Sequence, residues 1–181
     1  MSVSSHETQF DPVEALEALT VYPTRSILVS AYDLVNSESR HKMIAEITTY
    51  RDLGGFVLID SGNYEAYRLN DKQWKPSNLK RALTDTPHDW AFCFDNMTPS
   101  DKFEVAVRQV IKAVERDAKH TSAPVLPIIH VKQTPKGLER LPRIVRAISE
   151  HLQPPIIAIP ERELGAGLAQ RALTVRHIRD E

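Results

Sequence analysis

Five polar or charged residues each stand just past a short apolar run: Asp33 in SAYD, Asp60 in LIDSGN, Asp95 in FCFDN, His130 in PIIHVK and Glu161 in AIPER. In parallel α/β folds, binding and catalytic groups gather beyond the carboxyl ends of the strands, so position alone selects these five. Carboxylates predominate among them. A carboxylate held there can take a proton as a general base, or accept N–H bonds from a heterocycle.

Each candidate also has a purely structural reading. Asp60 is followed by Ser61, Gly62 and Asn63, where glycine and asparagine tolerate positive φ and let backbone approach a ligand closely. The same residues would form an Asx-turn that simply ends a strand. Asp95 opens Asp-Asn-Met-Thr-Pro-Ser, which leads into a helical pattern, so it either binds a ligand or belongs to a capping segment with Ser100 as N-cap. His130 either hydrogen-bonds a base or phosphate, or packs with one ring nitrogen satisfied. Glu161-Arg162-Glu163 also reads as a solvated loop with an internal ion pair, and Gly165-Ala166-Gly167 as a turn offering N–H groups near a helix start. Cys93, the single cysteine, sits in an apolar run without a basic neighbour and is expected to be core.

The elements that would position these groups follow a repeating rhythm. Apolar runs at 27–31, 56–59, 90–94, 125–129 and 156–159 start about 30 to 35 residues apart, the length of a strand plus a crossover helix. None alternates cleanly, as expected of strands buried on both faces of a parallel sheet. Helical stripes lie between them: Met43, Ile44, Ile47 and Tyr50; Phe103, Val107, Val110, Ile111 and Val114; Leu138, Leu141, Val145 and Ile148; Leu168, Ala172, Val175 and Ile178. Residues 64–86, with Pro76 and no clear stripe, are expected to be mostly loop with one short helix near 79–83, a candidate lid. Residues 1–24 read as a disordered tail with a short helix at 12–19, and 25–181 as one domain.

Composition narrows the class. The chain has 181 residues, 41% hydrophobic and 26% charged, with a formal net charge of −1, as in a globular α/β domain. No apolar run approaches the roughly 20 residues of a membrane helix, and the polar, acidic start is unlike a secretion signal, so the expectation is a cytoplasmic protein that does not contact membrane. One cysteine excludes an intrachain disulfide, and no Cys/His spacing matches a zinc site. Lys and Arg concentrate in KAVERDAKH and KGLERLPRIVR, either as solvated helix faces or as a phosphate-binding stripe.

The strand ends resemble those of the tRNA-guanine transglycosylase superfamily, the queuine and archaeosine tRNA-ribosyltransferases and relatives that insert deazaguanines into DNA. VLIDSGNYEAYRL is similar to the family's strand ending Asp-Ser-Gly-Gly-Phe-Gln, and WAFCFDNMTPS to its Phe-Asp-Glu-Cys-Thr-Pro element. VLPIIHVKQ stands where the family has Val-Gln-Gly-Gly, and IIAIPERELGAG resembles Ala-Ile-Gly-Gly. Order and approximate spacing agree across 25–181. The resemblance implies that Asp60 is the general acid/base for the exchanged base and that Asp95 recognises its purine-like edge. Tyr64 would replace the stacking phenylalanine, with Ser61, Gly62, His130 and Gly165 completing the base-binding set. Asn63, Glu65, His130 and Pro160-Glu161 depart from the family's residues, which suggests a divergent branch acting on tRNA or DNA.

In that family an aspartate nucleophile and a Cys/His zinc site come later than any segment matched here. A (β/α)8 barrel takes about 250 residues. The expectation is therefore an incomplete TIM-type barrel of about five βα units, a fragment or half of a base-exchange enzyme. It would hold no cofactor itself, with zinc only through a further segment or a partner. Its expected partners are guanine or a 7-deazaguanine, tRNA or DNA, and a complementing chain or further copy covering the sheet edges at 27–31 and 156–159. Two rivals stand beside this: a non-catalytic base-binding subunit, and an open α/β domain that binds a nucleotide or a protein. The absence of a Walker or dinucleotide glycine loop counts against the latter.

Overall fold

Hydrophobic, β-branched residues fill the buried positions of the central strands, and they do so in parallel register. The computed structural model describes residues 2–3, 12–21, 25–132, 134–165 and 167–180. They form two units, Met1–Phe94 with Asp117–Val125, and Asp95–Arg116 with Leu126–Glu181.

The first unit contains β1 (Ser2–Val3), α1 (Pro12–Val21), β2 (Ser26–Ser30), α2 (Ala31–Asn36), α3 (Arg40–Asp52), β3 (Phe56–Asp60), α4 (Asn63–Arg68), α5 (Pro76–Asp85) and β4 (Trp90–Phe92). The sheet runs in the order β1-β2-β3-β4-β5, with Val125–Leu126 as β5, and the pairs β1–β2, β2–β3 and β3–β4 are parallel. Ile27, Val29, Val57 and Ile59 are buried in β2 and β3, where branched side chains pack well on the pleated surface. They join Leu16 from α1, Leu34 from α2, Met43, Ile47 and Tyr50 from α3, and Leu79 and Leu83 from α5 in one core. The register pairs Ser30 with Asp60, so the carboxyl ends of β2 and β3 lie side by side.

The second unit contains most of α6 (Phe103–Asp117), then α7 (Pro135–Leu152) and α8 (Leu168–Asp180). Its core is built from Ala106, Ile129, Val131, Leu141, Ile144 and Ile148. Thr134 caps α7, its Oγ1 accepting the Gly137 N–H at 3.1 Å, with Pro135 in the first turn. Among the described residues no helix is long and apolar enough to cross a membrane.

An α/β chain with parallel pairing is thus present, but several elements differ from expectation. Ser2–Val3 pairs with β2, so the extreme start is strand rather than disordered and the run at 27–31 is not an edge; residues 4–11 lie outside the described residues. Residues 64–86 hold two helices, α4 and α5, rather than mostly loop. Pro76, read as a breaker, sits at the start of α5, where its missing N–H has no partner to lose. The Lys75 N–H donates to Asn78 Oδ1 at 3.2 Å, and Leu79, Ala82 and Leu83 form the buried stripe. The runs at 125–129 and 156–159 shrink to the two residues of β5 and an isolated parallel bridge between Ile128 and Ala158. Prolines at 124, 127, 154, 155 and 160 supply no N–H, which breaks the ladder on both segments.

Candidate functional site

In the first unit the candidate residues stand where β2 and β3 end. Asp60 is half-buried at the last position of β3, and its Oδ2 accepts the Gly62 N–H at 3.2 Å, so the Asx-turn is formed. Gly62 has φ +74°, and a Cβ there would lie 2.6 Å from the Tyr32 backbone nitrogen and 2.8 Å from the Trp74 ring. Only glycine fits both the left-handed backbone and the space. Ser61 is buried; its Oγ accepts the Asn63 N–H at 3.3 Å, and its carbonyl accepts the Trp74 indole N–H at 3.3 Å. Trp74 also packs on Tyr32, ring centroids 5.0 Å apart, and Tyr32 donates its hydroxyl to Asp71 at 3.3 Å.

Tyr64, in the first turn of α4, is 49% exposed, with the Arg68 guanidinium 6.0 Å from its ring centroid. Its ring is open to stacking. Asp33 lies in the first turn of α2, whose N-cap Ser30 accepts the Tyr32 N–H at 3.2 Å. Ser30, Asp33, Ser61, Asn63 and Glu65 make this strand end a buried polar layer.

In the second unit the structure brings together Asp95, His130 and Glu163. His130 Nε2 is 2.6 Å from Asp95 Oδ2 and Nδ1 is 3.2 Å from Glu163 Oε1. The three side chains are buried, with only 7%, 7% and 3% of each residue exposed in turn. Glu163 Oε2 also accepts the Val131 N–H at 3.2 Å, and Oε1 meets Arg162 Nε at 3.3 Å. Burial alone would push the imidazole toward its neutral form. The hydrogen bonds to Asp95 and then Glu163, with their charges, outweigh it and raise the pKa from 6.5 to about 9. His130 is therefore an imidazolium donating from both nitrogens at neutral pH.

The local turn work around Asp95 falls to its neighbours. Asn96 Oδ1 accepts the Thr98 N–H at 3.0 Å, and Ser100 Oγ accepts the Lys102 N–H at 3.2 Å just ahead of α6. Asp95 instead reaches His130.

Glu163 is the residue that strand-end reasoning missed. Glu161 directly follows the run at 156–159, but residues Glu161–Leu164 form a 3-10 turn that leaves Glu161 exposed, paired with Arg171, and turns Glu163 inward. The available signal was an acidic residue directly before Leu164 and Gly165. Gly165 has φ +123° and its carbonyl accepts Arg171 Nε at 3.0 Å; Ala166 lies outside the described residues. Cys93 is buried in the first unit. No group of His, Cys, Asp and Glu side chains among the described residues is arranged to hold a metal ion. No family model matches the chain, and no curated protein does.

Proposed function

We propose that this chain is a tRNA-guanine transglycosylase-like protein that binds guanine or a 7-deazaguanine and serves base exchange in tRNA or DNA in the cytoplasm, as one part of the enzyme. The observation that carries this reading is Asp95, a strand-end carboxylate held in place by a buried imidazolium. A fixed, acceptor-only carboxylate suits a base edge that offers adjacent N–H donors, as guanine N1–H and N2–H do. The resemblance to the transglycosylases assigns the proton of the exchanged base to Asp60 and stacking to Tyr64, both in the first unit; the geometry that carries the reading lies within the second unit alone. The sequential order of the parallel strands β1 to β4, without the reversal of a doubly wound sheet, supports the incomplete barrel. The zinc implied by the resemblance finds no ligand group among the described residues, so no step is routed through it.

A second reading, a non-catalytic base-binding subunit, is favoured by one observation: Asp95 and Glu163 are both engaged by His130. Titration calorimetry with guanine and a 7-deazaguanine tests base binding itself. We expect Asp95→Ala to lose binding while circular dichroism stays unchanged, because a hydrogen bond to a charged acceptor contributes about 1.5 to 3 kcal/mol. Unchanged affinity in Asp95→Ala removes the assignment of Asp95, and no binding by the wild-type chain removes the function.

A further inference from the structure

A histidine that faces carboxylates at both ring nitrogens cannot act as a general base, because neither nitrogen keeps a lone pair for a substrate proton. Its work is electrostatic and geometric. The ring lies in a chain of contacts that begins at the backbone: the Val131 N–H fixes Glu163 Oε2 at 3.2 Å, Glu163 Oε1 takes His130 Nδ1 at 3.2 Å, and Nε2 reaches Asp95 at 2.6 Å. The Arg162 contact to Glu163, from a half-exposed side chain, adds little in comparison. The backbone bond is the anchor.

We infer that Glu163 is the positioning residue of the base-recognition carboxylate: by occupying Nδ1 it directs the Nε2 proton of His130 at Asp95, and so fixes Asp95 as an acceptor for a base edge with paired N–H donors. The inference rests on the base-binding reading above. Without a partner at Nδ1, a neutral imidazole carries its proton on either nitrogen, and the tautomer with bare Nε2 turns a lone pair toward the Asp95 oxygen. With Glu163 present, both nitrogens stay protonated up to about pH 9. The charged groups acting on the ring are Asp95 from the segment after β4 and Glu163 from the 3-10 turn, with Arg162 behind Glu163. Lys132, two residues on, is paired with Asp101. Among the buried groups two carboxylates face one cation, and the half-exposed Arg162 on Glu163 offsets the difference only through solvent; a carboxylate acceptor favours N–H donors and disfavours phosphate. The edge selected is that of a 2-amino-6-oxopurine or its 7-deaza analogue; hypoxanthine, which lacks the 2-amino donor, is bound more weakly.

Guanine calorimetry and 15N imidazole shifts on the full chain, from about pH 5.5 to about pH 8, test this. In the wild type we expect constant affinity across that range and both His130 nitrogens protonated. Glu163→Ala should match the wild type near pH 5.5, where the imidazolium donates to Asp95 without help. It should bind guanine at least about tenfold more weakly near pH 8, with the ring losing its proton at a lower pH than in the wild type. Glu163→Gln, whose amide can accept from Val131 and donate to Nδ1, fixes the Nε2–H tautomer and should recover affinity near pH 8 while the ring is neutral. A Glu163→Ala chain that tracks the wild type at every pH overturns the inference. So does a wild-type ring that is neutral at pH 7. If Glu163→Ala does not fold, failure of Glu163→Gln to bind near pH 8 overturns it equally. If the wild type binds no base, the function reading has failed, and the ring shifts alone then decide whether Glu163 holds His130.

Discussion

At the scale of single residues, the Asp95–His130–Glu163 cluster ties stability to pH in a definite direction. The pKa of His130 is about 6.5 in the unfolded chain and about 9 in the folded one. A raised pKa means the folded state binds the proton more tightly, so the stabilisation is fully present below about pH 6.5 and is lost as pH rises through about 9. We expect the thermal midpoint to fall between those limits, and the fall to be largely absent when Asp95→Asn and Glu163→Gln are combined, since both raising interactions are then gone. Scanning calorimetry across that pH range checks it, and an unchanged slope in the double variant would assign the transition to another group. The contrast between Glu161 and Glu163 shows how far residue types can be read in advance. Position past an apolar run picked out Asp60, Asp95 and His130, but the choice between two acidic residues two positions apart depends on a 3-10 turn, which leaves no periodic trace in so short a segment.

At the scale of elements, Asp89 joins α3, β3 and the start of β4. Its carboxylate accepts Arg51 of α3 at 2.7 and 3.3 Å and the Val57 N–H of β3 at 2.8 Å. Burial raises its pKa, but Arg51 and the Val57 N–H outweigh that and hold it below 3.8. A depressed pKa gives stability that is present above 3.8 and lost as pH falls through the folded value. Asp89→Ala should cost about 1.5 to 3 kcal/mol in urea denaturation at neutral pH, because it strands a backbone donor and a partly buried guanidinium. A cost under about 0.5 kcal/mol would mean the strut contributes nothing beyond a surface pair. The helices α3, α6, α7 and α8 were legible because each carries a 3.6-period apolar stripe longer than two turns. The short helix expected near 79–83 is the core of α5, but its first turn and two further helices were hidden. The helix α2 is six residues long, α4 is equally short, and α5 begins with a proline that equally ends a helix elsewhere. β1 is two residues long, and such a pairing carries no sequence pattern of its own. In 125–129 and 156–159 the apolar content was visible, but the flanking prolines decided how little ladder forms.

At the scale of the whole chain, the inventory of strand-end carboxylates bears on how much of base exchange it performs. A glycosyl-enzyme intermediate requires a carboxylate opposite the leaving base, separate from the groups that handle the base's proton and edge. Asp60 accepts the Gly62 N–H, while Asp95 and Glu163 are engaged by His130. Glu161 is exposed and paired with Arg171, and Asp33 is buried in the first turn of α2. If Asp60 and Asp95 serve the base, Asp33 and Glu161 are the strand-end carboxylates left for the sugar. Neither is poised: an ion pair lowers the nucleophilicity of one, and helical backbone restricts the reach of the other. We therefore expect the purified chain, given tRNA or duplex DNA with a labelled 7-deazaguanine, to bind the free base yet trap no covalent complex on a denaturing gel and incorporate no label. Adding a second chain that carries an aspartate nucleophile should then restore incorporation. A trapped complex formed by this chain alone would end the half-enzyme reading, and its loss in Asp33→Asn or in Glu161→Gln would identify the nucleophile.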